Sequence, residues 1–182
     1  MQIHRRLVVT GHNQKGESIF ASDTVIDGTP IPGMPGFETV AMWGADHRMQ
    51  YPDKGAKPAY TNYFPTKAGF RVIETYLPAK AELNEDNSVH GSAAAQMQSA
   101  LPGLAETMEK DRPGMHRTAS VDMVYIIEGR CVLALDSGET MTLSAGDVLI
   151  ESGTLHAWHN PFDKPCRFIA VVIGADNDLV KN

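Results

Sequence analysis

Polar side chains at every second position precede an apolar run near the middle of the chain. The segment PGMHRTASVDMVYIIEG, residues 113–129, contains them in this order: His116, Thr118, Ser120 and Asp122. Because side chains alternate between the two faces of a β-strand, these four point the same way, beside residues that must be buried. An imidazole and a carboxylate directed at a protein interior can bind a metal ion or transfer a proton.

A second histidine and a tryptophan follow in the segment GTLHAWHN, residues 153–160. His116, Asp122 and His156 form a two-histidine, one-carboxylate set, which leaves coordination positions open for water, oxygen or substrate. Such a set favours Fe(II), with Mn, Ni, Co or Zn as alternatives. Two features weaken the metal interpretation: aspartate is one methylene shorter than glutamate, and the hydroxyl of Thr118 is a poor metal ligand.

Proton transfer is the alternative chemistry for the same residues. Asp122 can fix the tautomer of a neighbouring histidine, which then acts as general acid or base. The candidates for substrate contact are Thr118, Ser120, Tyr125 and Trp158. Trp158 lies two residues beyond His156 and shares its face on a continuous strand. Packing is the alternative role for Trp158, and internal hydrogen bonding is the alternative for Thr118 and Ser120.

The elements that must position these residues are mostly short β-strands. After Gly114, apolar runs alternate with turn signals about every 6 to 12 residues, a pattern typical of a small sandwich or barrel. Upstream, residues 5–26 predict two strands around a turn, and residues 69–78 predict a further strand. Residues 37–44 predict an edge strand.

Residues 88–110 form the one convincing helical segment. Apolar side chains at helical spacing follow one face: Met97, Leu101, Leu104 and Met108. Pro102 interrupts this stripe, so we expect two short helices or one kinked helix. The segment either packs on the sheet or forms a mobile lid over a pocket.

Length and composition indicate one acidic domain. A chain of 182 residues with a net charge of −6 is long enough for one sizeable core, and its charge argues against a nucleic-acid partner. No apolar run is long enough for a membrane helix and no signal peptide is evident, so a cytoplasmic protein is expected. Gly11 and Gly16 bracket four residues, but Glu17 stands where a phosphate-binding loop requires lysine, so no nucleotide cofactor is expected.

Two motifs resemble the paired signature of the cupin superfamily. The first motif is matched by Gly114, His116, Asp122 and Gly129, and the second by Gly146, Gly153, His156 and Asn160. Thr118 stands in place of a second histidine, Asp122 in place of glutamate, and Ser152 in place of proline. This reduced set is similar to a single-barrel, cupin-2-like subgroup, of which some fungal members are described as oxidoreductases of polyketide pathways.

The resemblance implies an all-β fold: a single double-stranded β-helix (jelly-roll) barrel with an N-terminal β extension and a short helical insertion. Residues 1–69 would be the extension and loops packing on the barrel. Residues 70–182 would be the barrel, with residues 88–110 as the insertion, in one structural domain. The resemblance also implies a homodimer.

The leading functional hypothesis is a cupin enzyme that binds a divalent metal through His116, Asp122 and His156. It would oxidise a small aromatic or carbonyl-bearing molecule. The alternatives are a metal-independent lyase or isomerase with a histidine and aspartate as acid–base pair, and a barrel that binds a small ligand without catalysis.

Overall fold

The computed structural model describes residues 3–80 and 91–180, which are mostly β. The strands are β1 (His4–His12), β2 (Ser18–Asp27), β3 (Thr29–Pro30), β4 (Glu38–Ala45), β5 (Phe70–Leu77), β6 (Ser120–Glu128), β7 (Arg130–Leu135), β8 (Thr140–Ser144), β9 (Val148–Glu151), β10 (His156–His159) and β11 (Cys166–Gly174). The helices are α1 (Gly91–Ala100) and α2 (Leu104–Thr107). No described helix is long and apolar enough to cross a membrane.

Two sheets enclose the main core. The larger has the order β3-β4-β5-β11-β6-β9 and the smaller has the order β10-β7-β8, with antiparallel pairing throughout. Apolar side chains from both sheets pack in one cluster that includes Ile73, Ile126, Cys131, Leu143 and Phe168. The all-β class predicted from the sequence is confirmed, and the two facing sheets are consistent with the expected jelly roll.

Strand β6 shows how the sequence divides between core and surface. Its side chains alternate strictly, with Asp122, Val124 and Ile126 buried and the intervening side chains exposed. Burial of the apolar members holds the strand in this register, because a slip by one residue would move every side chain to the opposite face. Asp122 is thereby fixed toward the interior.

The large sheet continues into the N-terminal part of the chain. Strand β4 pairs with β5, and the two-residue strand β3 pairs with the far side of β4. The strand predicted at residues 37–44 is β4, and β3 lies outside it at the edge of the sheet. The sheet therefore contains strands from both sides of residue 69.

The first two strands form a separate hairpin. Its turn is closed by the Asn13 side chain, which accepts hydrogen bonds from the backbone N–H groups of Lys15 and Glu17. Gly16 provides the left-handed conformation that this turn needs, at φ 80°. From β1, Arg5 reaches across to the buried carboxylate of Glu74 on β5, so the hairpin lies against the outer face of the large sheet.

The helical segment consists of two short helices on either side of Pro102. Met97, Leu101 and Leu104 pack with Ile31 in a second apolar cluster, beside the loop that precedes β4. The helices therefore pack on this loop as well as over the core. Residues 88–90 of the predicted helix lie outside the described residues.

Candidate active site

A small cavity lies between the two sheets and the helical segment. Its volume is about 90 Å³, and most of its lining is apolar, including Phe64, Leu104, Trp158 and Phe168. Two imidazoles and two carboxyl groups also line it: His116, Asp122, Glu151 and His156. A concave, mostly apolar space with a few convergent polar groups is the usual form of a small-molecule site.

The two histidines are held side by side by their backbones. The N–H of His116 donates to the carbonyl of His156 over 2.9 Å, and the N–H of His156 donates back over 3.0 Å. Directly opposed residues of this kind project their side chains to the same side of the sheet. As a result, the imidazole centroids lie 4.2 Å apart.

Each histidine has one ring nitrogen committed to the protein. Nδ1 of His116 donates to the Gly114 carbonyl, and Nδ1 of His156 donates to the Thr154 carbonyl, each over 3.0 Å. A carbonyl oxygen only accepts, so both Nδ1 atoms carry hydrogen. Nε2 of each neutral ring is then a lone-pair acceptor that can take a proton.

Glu151 forms a buried pair with His156. Its carboxylate contacts Nδ1 of His156, and both side chains are less than 5% exposed. Burial alone would lower the pKa of His156, but the hydrogen bond to Glu151 and its negative charge outweigh burial and raise the pKa. A carboxylate on Nδ1 orients the ring and stabilises its protonated form.

The pKa of His116 is shifted in the opposite direction to that of His156. Burial, together with the charge of neighbouring His156, lowers the pKa of His116 to about 4. His116 is therefore neutral near pH 7, whereas His156 is the ring that holds a proton more readily. Two adjacent imidazoles with divergent pKa values are suited to different roles in proton transfer.

Asp122 lies opposite Glu151 in the β6–β9 ladder. Its Oδ1 is buried and has no hydrogen-bond partner among the described residues. Burial, assisted by the negative charge of Glu151, raises the pKa of Asp122 to about 6, although Ser120 and His156 oppose this increase. Asp122 is therefore mostly ionised at pH 7 and becomes protonated as the pH falls through about 6.

The three predicted metal ligands lie around one space. His116, Asp122 and His156 line the cavity, but within residues 3–80 and 91–180 no group of three or more His, Cys, Asp or Glu side chains is arranged to hold a metal ion. Glu151 contacts His156 at Nδ1, which leaves Nε2 of that ring available to accept a proton. The metal centre stays a prediction, and the same side chains can also transfer protons.

The candidates for substrate contact lie in three different environments. Trp158 lines the cavity, with its ring 6.1 Å from that of His156. Thr118 and Ser120 hydrogen-bond each other over 2.7 Å and line a neighbouring groove instead of the cavity. Tyr125 is 45% exposed on the outer face of β6, away from the cavity, and its role as a substrate contact stays a prediction.

Glu151 is the site residue that the sequence did not reveal. It is the last residue of β9, in GDVLIESG, and the exposed neighbours Val148 and Ile150 are as apolar as inward-facing residues would be. Alternation therefore could not identify the buried face of this strand. The available signal was a glutamate at the strand end, five residues before His156.

Comparison with known proteins finds a match to one family model. The model, described as "Cupin domain", matches residues 104–172, which contain His116, Asp122, Glu151 and His156. The resemblance to cupins predicted from the sequence is confirmed for this segment. The polar cluster of the cavity thus lies inside the matched segment.

Curated relatives are similar to this chain over short segments at higher identity, or over most of its length at lower identity. One is "Phomopsin biosynthesis cluster protein C'" of Diaporthe leptostromiformis, 47% identical over 34% of this chain and 35% of that protein. The chain thus spans about a third of the length of this relative. "Cupin-domain-containing oxidoreductase fogC" of Aspergillus ruber is 26% identical over 96% of this chain and 74% of that protein.

A similarity to a solved structure extends over most of the chain. The polyketide cyclase RemF from Streptomyces resistomycificus is 15% identical, with 86% of this chain and 79% of that chain covered and a TM-score of 0.46.

Proposed function

We propose that this cupin protein is an enzyme that transfers protons on a small, largely apolar molecule bearing a carbonyl group. The observation that carries the proposal is the Glu151–His156 pair in the lining of a mostly apolar cavity, with His116 and Asp122 beside it. General acid–base catalysis requires an oriented imidazole within reach of the substrate, and this cluster supplies one.

In this mechanism, neutral His156 takes a proton from the carbon next to the carbonyl at its Nε2. Glu151 stabilises the imidazolium that forms. Ionised Asp122, whose negative charge also raises the pKa of His156, stabilises the same imidazolium, and the apolar walls exclude competing water. Return of the proton to a different carbon yields an isomer; return to the same carbon exchanges it with solvent.

Hydrogen exchange on the smallest ketones tests this proposal. Propanone or butanone is incubated with the protein in D₂O, and loss of the α-proton signal is followed by NMR. We expect the wild type to accelerate exchange and Glu151→Gln to lower the rate about 100-fold. Glu139→Gln, which changes an exposed glutamate in the turn between β7 and β8, is the matched control and should leave the rate unchanged. A wild-type rate equal to that of buffer would refute acid–base catalysis on these ketones.

Metal-dependent oxidation is the second candidate, and the names of relatives favour it. Besides the Aspergillus ruber protein, "Cupin-domain-containing oxidoreductase virC" of Hypocrea virens is 33% identical over 40% of this chain. The donor types of His116, His156 and Asp122 suit Fe(II) or another divalent metal, but the three would have to converge around the ion.

Metal content distinguishes the two candidates. Protein purified without chelator or histidine tag is measured by mass spectrometry, with His156→Ala in parallel. Near-stoichiometric metal that is lost in the variant would favour the second candidate. Exchange activity that persists in chelator-treated protein would favour the first, and saturable ketone binding without turnover would indicate a binding protein.

A further inference from the structure

The cavity is too small to hold an aromatic molecule by itself. Its volume is about 90 Å³, whereas a protein cavity that takes up benzene has about 150 Å³. Pockets for small molecules usually have roughly 300–1,000 Å³. A substrate larger than a few carbon atoms must therefore extend out of the cavity.

A second space adjoins the cavity. This outer groove is about 460 Å³ and is lined by Gly33, Met34, Lys80, Pro113, His159 and Pro161, among others. It shares Phe37 and Trp158 with the cavity, as well as Met34 and Gly114. Trp158 is therefore a common wall of the two spaces, which adjoin along these four residues.

The groove on the other side of the cavity is less suited to an apolar molecule. It shares Phe64 and Met108 with the cavity, but Glu106, Glu109, Lys110, Asp111 and Arg117 contribute its charged lining. Among the described residues that line the outer groove, only Lys80 and His159 are ionisable, and both are basic. A buried apolar chain avoids charged walls, and basic residues disfavour a cationic end.

We propose that the outer groove is a second substrate subsite. It takes the body of an extended apolar carbonyl compound whose far end is neutral or anionic, while the carbonyl reaches His156 and Asp122 in the cavity. The position of the carbonyl rests on the proposed function. The subsite itself rests on the lining residues that the cavity and the outer groove share.

Equilibrium binding of methyl ketones of increasing length tests the subsite. Isothermal titration calorimetry is performed with 2-butanone through 2-nonanone. Each methylene that enters the groove should raise the affinity roughly fourfold, the factor that corresponds to about 0.8 kcal/mol per buried methylene. An affinity that does not change with length, or no binding at any length, would overturn the proposal.

A variant that fills the outer groove with a larger side chain tests the same subsite. His159 is exposed and lines the outer groove but not the cavity, so His159→Trp adds bulk there without replacing a cavity residue. We expect this variant to lose the gain with chain length and to bind 2-butanone as the wild type does. Ser137→Trp adds the same bulk in an exposed turn and should retain the gain. Retention of the gain in His159→Trp would place the chains elsewhere on the protein and contradict the subsite.

The charge of the far end is tested with keto acids that carry a terminal carboxylate. Lys80→Glu should weaken these acids about twofold to fivefold relative to ketones of equal length, and Lys15→Glu, a charge reversal in the hairpin turn, should not. Equal weakening by both variants would exclude Lys80 as the group that faces the far end. Because binding is measured without turnover, length-dependent binding in a protein that fails to exchange α-protons would support the subsite and refute the reaction. Exchange of α-protons in a protein whose ketone affinity does not depend on chain length would support the reaction and refute the subsite.

Discussion

Two buried carboxylates in this protein have opposite surroundings. Glu74, on β5, accepts hydrogen bonds from Arg5 on the hairpin and from Arg167 on β11. Burial would raise the pKa of Glu74, but these hydrogen bonds and positive charges outweigh it and lower the pKa. Asp122, on β6, keeps Oδ1 unpaired among the described residues and has its pKa raised by burial to about 6.

These surroundings suit Glu74 to a structural role and Asp122 to a role in binding or catalysis. Fixed cations compensate the desolvation of Glu74, so it joins the hairpin to the sheet and has little capacity left for a ligand. Asp122 keeps its desolvation cost, and its unpaired oxygen lies in a cluster that faces the cavity. Such a cost is typical of positions that are retained for function instead of stability.

The largest expected effect separates the two regions by activity. His156→Gln removes the imidazole, so α-proton exchange should fall about 10² to 10⁴-fold, while Glu74→Gln should leave the rate per folded molecule unchanged. The measurement is the NMR exchange assay, with the folded fraction of each variant determined by circular dichroism. A similar loss of rate in both variants would show that the distinction is wrong.

The sequence predicted the chemical region better than the structural one. Strict alternation in β6 placed Asp122 inward, and the two motifs predicted one site for His116 and His156, which pair in an isolated antiparallel bridge. Both signals are local, because they depend on strand periodicity and on turn positions. The all-β class followed from the same signals.

Glu74 and Glu151 could not be placed in this way. Polar and apolar residues occur on both faces of β5, and apolar residues occur on both faces of β9, so periodicity does not identify the buried side of either strand. Glu74 is buried because a hairpin about 70 positions earlier in the chain covers it, as its contact with Arg5 shows. Glu151 lies opposite Asp122 in the ladder with β6, and its carboxylate contacts His156. Both placements depend on tertiary contacts that local patterns do not encode.

The stability of the protein should depend on Glu74, the carboxylate that does not take part in exchange. Glu74→Ala leaves Arg5 and Arg167 without their shared carboxylate, and each is only about a quarter exposed. We expect the free energy of unfolding to fall by about 2–4 kcal/mol, measured by urea denaturation near pH 7. A loss below about 0.5 kcal/mol, within the range of ordinary surface substitutions, would show that the hairpin is held by other contacts.

Asp122→Asn should stabilise the protein while it impairs exchange. A carboxyl whose folded-state pKa is raised favours folding most below its unfolded pKa, and this contribution disappears as the pH rises through about 6. Removing the charge should therefore add about 1–3 kcal/mol to the free energy of unfolding at pH 7.5. Little change is expected at pH 3.5, where the wild-type carboxyl is protonated in both states. Equal stability of the two proteins at pH 7.5 would contradict the unpaired state of Asp122.

Glu74 should give the opposite pH dependence. Its folded-state pKa is lowered from 4.5, so its contribution is present above that value and is lost as the pH falls through the lower folded-state pKa. Urea denaturation between pH 6 and pH 3 should show a decline in wild-type stability that is shallower in Glu74→Gln. Parallel declines would assign the acid sensitivity to other carboxylates.

The smallest effect is expected at the hairpin surface. Arg6 and Asp23 form a bidentate pair there, with the side chains 71% and 53% exposed. The pair lowers the pKa of Asp23, but water and salt compete for both charges. Asp23→Ala should therefore shift the urea midpoint much less than Glu74→Ala, and added salt should remove the shift. A midpoint shift equal to that of Glu74→Ala would mean that bidentate geometry, rather than burial, determines how much an arginine–carboxylate pair stabilises this protein.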